Sequence, residues 1–176
     1  LLSMFLLASA QKNLSMCSFR LFGLQKPKEK EVWSTEVTEE DLKNAIEDEF
    51  GVKYSKDWKR LLKSPTDLDG VYSIRKGVKV IANNAFTGCH FLTSINIPDG
   101  VTSIGVGAFL WCRSLRNINI PYTVTSIGVR AFEHCSLTSI SIPPSVTTNQ
   151  VWRFLDCSSL RYINIHDTQT RNGDAA

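Results

Sequence analysis

What the sequence lacks narrows its function before any motif is read. The apolar opening, LLSMFLLASA at residues 1–10, falls far short of the ~20 apolar residues that an integral membrane span needs. The net charge is only +3 and no run of six or more basic residues occurs, so there is no track for phosphates, which argues against nucleic acid. Gly-rich phosphate loops and paired-carboxylate motifs are absent and there are only three histidines. The chain is therefore not expected to be an enzyme or to need a cofactor. At 176 residues it holds one domain plus appendages rather than two full cores.

The charge that is present is unevenly spread. Residues 1–70 carry 11 Lys and Arg against 12 Asp and Glu, and residues 71–176 carry 9 against 5. The second part is mildly basic, chiefly through Arg. Residues 1–10 have the length of a secretory h-region, with Ala8-Ser9-Ala10 in the small-x-small position before cleavage. A basic start is missing, so a signal remnant and an amphipathic or unstructured tail both stand as readings. Leu14-Ser15-Met16-Cys17 resembles a lipoprotein cleavage box except for Met where a small residue belongs.

Written against itself at a shift of 23, the sequence repeats. One copy carries Val78, Ile81, Ala85, Phe86, Cys89, Leu92, Ile95, Ile97 and Pro98. The next places Val101, Ile104, Ala108, Phe109, Cys112, Leu115, Ile118, Ile120 and Pro121 at the same positions. A third has Val124, Ile127, Ala131, Phe132, Cys135, Leu137, Ile140, Ile142 and Pro143, one residue shorter after the Cys. The fourth keeps Val146, Phe154, Cys157, Leu160, Ile163 and Ile165, but has Asn149, Arg153 and His166 where Ile, Ala and Pro belong. Terminal repeats are atypical because one face meets water, so this copy is expected to end the solenoid, a truncated gene being the alternative reading.

In each copy Leu-x-x-Ile-x-Ile closes on two Ile that alternate with a polar residue, the period of a strand with one buried side. Pro then stops the strand, having no N–H for a ladder. The half that runs Val-x-x-Ile-x-x-x-Ala-Phe-x-x-Cys must return the chain, so successive strands lie parallel and ~4.8 Å apart. Phe86, Phe109, Phe132 and Phe154 should then form an aromatic spine.

The pattern Ile-Gly-x-x-Ala-Phe-x-x-Cys-x-x-Leu-x-x-Ile-x-Ile-Pro resembles the BspA-like bacterial type of leucine-rich repeat. The resemblance implies an α/β leucine-rich-repeat solenoid, with a parallel β-sheet on the concave face and a short helical or irregular outer arc. It also implies a secreted or cell-surface module that binds a protein, host or matrix proteins included.

Upstream, Val71-Tyr72-Ser73-Ile74 aligns with a repeat strand, Tyr72 and Ile74 standing for the two Ile. Residues 51–54 and 59–62 read as hairpin arms around Ser55-Lys56-Asp57-Trp58, with Trp58 where such turns favour Gly. Thr38-Glu39-Glu40-Asp41 is a capping-box arrangement, and Leu42, Ala45, Ile46 and Phe50 form a helical stripe closed by Gly51. The expected organisation is a signal remnant and linker over 1–35, a helix–hairpin N-terminal cap over 36–70, a half repeat and four repeats over 71–168, and a polar tail over 169–176.

Two features invite chemistry. Cys89, Cys112, Cys135 and Cys157 recur 23, 23 and 22 residues apart. A linear ladder does not converge as a tetrahedral metal site must, so buried thiols are expected and no metal. His90 and His134 each neighbour a Cys, but neighbours on such a turn point apart and no third group orients them. The surface expected to act is the concave sheet face, with columns Ser94, Asn117, Ser139, Tyr162 and Asn96, Asn119, Ser141, Asn164. Arg116 and Arg161 flank them, with Thr93 and Thr138. Amides and hydroxyls supply donors and acceptors, while Tyr and Arg are the anchors favoured at interfaces. Protein binding is the leading expectation. Carbohydrate recognition, with Tyr122 and Tyr162 near the edge, and a purely structural spacer are the alternatives.

Overall fold

The structure, a computed structural model, describes residues 33–146 and 156–165. The expectations for residues 1–32, for Phe154, for the departures at Asn149, Arg153 and His166, and for the tail lie outside the described residues.

A five-residue helix, α1 (Glu39–Lys43), opens the described chain. Its capping box forms as read: Asp41 N–H donates to Thr38 Oγ1 at 3.1 Å and Thr38 N–H donates to Asp41 Oδ2 at 3.0 Å. The helix stops well short of the stripe expected to reach Phe50. Ile46–Glu47 instead form strand β1, antiparallel to β2 (Lys53–Tyr54), with Ile46 opposite Tyr54. The Asp48 carboxylate takes the N–H groups of Phe50 and Val52 at 3.0 and 2.9 Å. Those amides cannot then bond in a helix, a competition characteristic of Asp side chains.

The hairpin turn lies between β2 and β3 (Arg60–Lys63). Trp58, standing where Gly is favoured, has φ of 59°. That left-handed backbone is costly for a side chain with a Cβ, and two ring contacts offset it. Its indole packs 5.3 Å from the Tyr54 ring, and the Arg75 guanidinium lies 4.0 Å above it.

Arg60 ties this hairpin to the helix, donating to Asp41 Oδ1 at 2.9 Å and to the carbonyls of Ser34 and Glu36. Backbone bonding from Thr38, then the Arg60 guanidinium, holds the Asp41 carboxyl below the usual carboxylate range. A group with a depressed folded pKa contributes stability above its unfolded value, ~3.9, and loses it as pH falls through the folded one. Wild type should therefore exceed Asp41→Ala in urea-unfolding stability by about 1–3 kcal/mol at pH 7. That gap should shrink as pH is lowered below ~3.9; a gap constant to pH 2 would contradict this role.

From Gly70 onward the chain coils. Strands β4 (Gly70–Ser73), β6 (Leu92–Asn96) and β8 (Asn117–Asn119) pair parallel, with Tyr72, Ile95 and Ile118 in register. Strands β10 (Ser139–Ile142) and β11 (Tyr162–Ile165) pair the same way one and two turns on. Leu92 and Ile95 both point inward although they are three residues apart. A bulge at Thr93 reconciles this with the two-residue strand period: Gly70 pairs Leu92 while Val71 pairs Ser94.

The return half holds a second parallel sheet that the sequence reading did not place. It joins β3, β5 (Val80–Ile81), β7 (Ser103–Ile104) and β9 (Ser126–Ile127), with Leu61, Ile81, Ile104 and Ile127 in register. The hairpin arm β3 is thus the first rung of that sheet, so β1 and β2 extend it to six strands. Turns carry the Ala-Phe-x-x-Cys segments between the sheets.

All three sides feed one core. Phe86, Phe109 and Phe132 are fully buried and stacked, centroids 5.2 and 5.5 Å apart and planes within 6° and 3°. Tyr72 continues the column 6.0 Å from Phe86. Its hydroxyl donates to Asp48 Oδ2 at 2.5 Å, so with one proton each the Tyr54 hydroxyl must be the donor in its 2.5 Å contact with Tyr72. Burial, then the bond to Asp48, drives the Tyr72 phenol far above its ordinary pKa, so this network is neutral phenol on carboxylate.

Candidate functional site

The parallel register aligns the polar side chains that alternate with the buried Ile. Val71, Ser94 and Asn117 face one another across strands, as do Ser139 and Tyr162. A second column runs Ser73, Asn96, Asn119, then Ser141 with Asn164. Arg116 and Arg161 precede β8 and β11, and their backbone N–H groups bond the carbonyls of Thr93 and Thr138 at 3.1 and 3.0 Å. That fixes Thr93 beside Arg116 and Thr138 beside Arg161.

Every residue named from the sequence lies on this sheet side. Asn96, Arg116, Asn117, Asn119, Ser139, Arg161, Tyr162 and Asn164 are exposed, and Ser94 and Ser141 are half-buried. Tyr162 is 69% exposed, an aromatic with most of its surface in water. Asn96 Nδ2 donates to Ser73 Oγ at 2.9 Å, so the amide ladder is partly ordered by its own neighbours. The arrangement offers hydrogen bonds in rows and two cations; it contains no nucleophile with a base beside it.

The cysteines form the inward ladder expected of them. Cys89, Cys112 and Cys135 are buried and Cys157 is half-buried, all as free thiols. Each thiol reaches the backbone of the preceding turn: Cys112 to the Phe86 carbonyl and Cys135 to that of Phe109, both at 3.1 Å. Cys157 reaches the Phe132 carbonyl at 2.8 Å, and Cys89 the Pro65 carbonyl at 3.3 Å. The adjoining thiols of Cys135 and Cys89, and burial, push Cys112 up. Burial pushes Cys157 up to about 11. Thiolates are the reactive form of cysteine, so both are held in the inert one. His90 turns outward, its Nδ1 2.9 Å from the Trp111 carbonyl, away from Cys89.

One cluster escaped the sequence reading. The residue before each Cys, namely Gly88, Trp111, His134 and Asp156, is left-handed, with φ of 77°, 65°, 56° and 53°. These positions stack in a column along the turns. Trp111 lies against the His134 imidazole, centroids 4.1 Å apart, with the Arg113 guanidinium 4.8 Å from the indole. His134 Nε2 sits 3.7 Å from both Glu133 Oε1 and Asp156 Oδ2. The signal lies in the repeat period, since Trp111, His134 and Asp156 are spaced 23 and 22 apart, whereas the sequence neighbour of His134 is Cys135, which points into the core.

Comparison with known proteins agrees with this geometry. A leucine-rich repeat protein from Eubacterium ventriosum is 27% identical with a TM-score of 0.58, over 69% of this chain and 40% of its own. A leucine rich cell surface protein from Faecalibacterium prausnitzii is 28% identical with a TM-score of 0.56, over 72% of this chain and 41% of its own. The pneumococcal vaccine antigen PcpA shares the fold at 21% identity and a TM-score of 0.56, covering 72% and 38%. This chain thus spans about two fifths of the length of those proteins. No curated protein sequence matches it. Residues 79–176 match the BspA type leucine rich repeat region, in six copies. With that match over more than half its length, and a coil of parallel strands to go with it, the chain belongs to the BspA type leucine-rich repeat family.

Proposed function

We propose that this chain is a non-catalytic interaction module of a secreted or cell-surface bacterial protein, and that it binds a protein partner through the concave sheet face. The observation that carries the reading is the set of polar side chains, most of them exposed, held in register within β4, β6 and β8 and again within β10 and β11, with Arg161 and Tyr162 at the last strand. A solenoid presents such rows at a fixed spacing near 4.8 Å, so the surface is pre-organised and loses little freedom on binding. The relative from Faecalibacterium prausnitzii is described as a cell surface protein, which favours the same setting here. Residues 36–70 act as the N-terminal cap in this reading: β3 takes the first rung of one sheet while Tyr54 packs its hydroxyl against that of Tyr72, the first ring of the aromatic column. Residues 71–168 form the binding domain.

Pull-down against host and matrix proteins should recover a partner that is lost when Arg161 and Tyr162 are both changed to Ala. Two hot-spot truncations of at least ~1–2 kcal/mol each predict a fall in affinity of roughly 30-fold or more. Unchanged capture would move the site off this sheet. A second reading, carbohydrate recognition, draws on the high exposure of Tyr122 and Tyr162, 65% and 69%, beside the Asn and Ser rows. Glycan-array binding without protein capture would favour it, and silence on the array alongside protein capture would remove it.

A further inference from the structure

We propose that Glu133, His134 and Asp156 form a binding site for one divalent transition-metal cation of the zinc class, bridging the third repeat to the fourth. One imidazole nitrogen and two carboxylate oxygens lie within 4.8 Å of one another, drawn from two successive turns of the coil. Imidazole with carboxylate is a donor set for zinc, which takes four ligands and leaves a position for water when the protein supplies three.

The distances are those of a ligand set rather than of hydrogen bonds. His134 Nε2 is 3.7 Å from Glu133 Oε1 and 3.7 Å from Asp156 Oδ2, beyond the ~3.2 Å limit of a good N–H to O bond. Donors bound tetrahedrally at ~2.0–2.1 Å stand about 3.3 Å apart. Contraction by a few tenths of an ångström therefore brings the imidazole to that spacing from each carboxylate, and the two carboxylates, within 4.8 Å of each other, close by side-chain rotation. The imidazole is already oriented by its contact with Trp111 at 4.1 Å.

Glu133 Oε2 is enclosed and makes no hydrogen bond, its contact with Arg130 being an ion pair. Arg130 Nε approaches it to 3.2 Å without forming a hydrogen bond, and that side chain is 61% exposed. An enclosed carboxylate oxygen that rests on one water-screened ion pair is only partly compensated. A cation held by the other oxygen of the same carboxylate would offset the remainder directly. Two carboxylates against one guanidinium leave the cluster with net negative charge, as a divalent ion requires.

The test is calorimetric titration of ZnCl2 into the full chain in its reduced state. One ion per chain should bind, with affinity reduced at least tenfold in both His134→Asn and Asp156→Asn. Asn tolerates the left-handed backbone of these positions, so the variants keep the fold, and circular dichroism checks it. Glu133→Gln should weaken binding as well, at a position with no left-handed backbone to disturb. Affinity unchanged in the three variants, or no binding by wild type, would overturn the site. So would loss confined to Cys17→Ser or Cys157→Ser, which would assign the zinc to thiols.

Discussion

Replacing Phe109 by Ala should lower the unfolding free energy by roughly 3–5 kcal/mol, the cost of removing a buried aromatic from a site that cannot collapse. The reason it cannot collapse lies in the coil. Phe109 is stacked on both sides, 5.2 Å from Phe86 and 5.5 Å from Phe132. The spacing of its neighbours is set by backbone ladders, with Phe86 N–H bonded to the Ala108 carbonyl and Phe109 N–H to that of Ala131, at 2.7 and 2.8 Å. Rings above and below cannot close on a gap while those bonds persist. Each repeat touches only its neighbours, so a lost ring weakens two interfaces at once. Urea unfolding followed by circular dichroism is the measurement. Phe109→Leu should cost clearly less than Phe109→Ala because most of the volume remains. A loss below about 1 kcal/mol for Phe109→Ala would mean the column is not the core, against the burial scale for aromatics.

What the sequence makes legible is whatever the 23-residue period repeats. The Ile strands, the Phe column and the inward Cys ladder each occupy one position in copy after copy, and side chains in a coil must then line up. The short second sheet was harder to read. Val80–Ile81, Ser103–Ile104 and Ser126–Ile127 are only two residues each, too short for alternation to show, and they become strands through pairing across turns. The N-terminal segment misled for another reason. Leu42, Ala45 and Ile46 have helical spacing, but Ile46 gains a strand partner in Tyr54 and Asp48 captures two amides, a tertiary outcome that local periodicity does not encode. On the sheet face, position was legible and role was not. A column of Asn and Ser looks the same whether it meets a partner or only water. The Glu133–His134–Asp156 cluster depends on side chains of adjacent turns meeting, which a column of unlike residues conceals.

Gly128 tests the coil from its backbone, and here the expected loss on mutation to Ala is roughly 1–3 kcal/mol or more, by overpacking. A Cβ at this position would lie 2.4 Å from Val106 N, 2.5 Å from the Gly105 carbonyl carbon and 2.6 Å from Val106 Cα. Gly105 is in the same situation one turn earlier, 2.5 Å from Asn83 N and 2.6 Å from the Ala82 carbonyl carbon. All of these but one contact with the Asn83 side chain are backbone atoms, so a flexible neighbour cannot swing aside. The turns must separate instead, and Gly128 N–H, bonded to the Ile104 carbonyl at 2.8 Å, resists that. Gly77 provides the contrast. A Cβ there meets nothing within 4 Å, but φ is 96°, so Gly77→Ala pays only for backbone conformation, about 1–2 kcal/mol. The two mechanisms separate in a double variant. Truncating Val106 to Ala should not rescue Gly128→Ala in thermal unfolding, because the clash is with the Val106 main chain and not its isopropyl group. Recovery on that second change would show that side-chain crowding, rather than close approach of successive turns, keeps glycine at this step of the repeat.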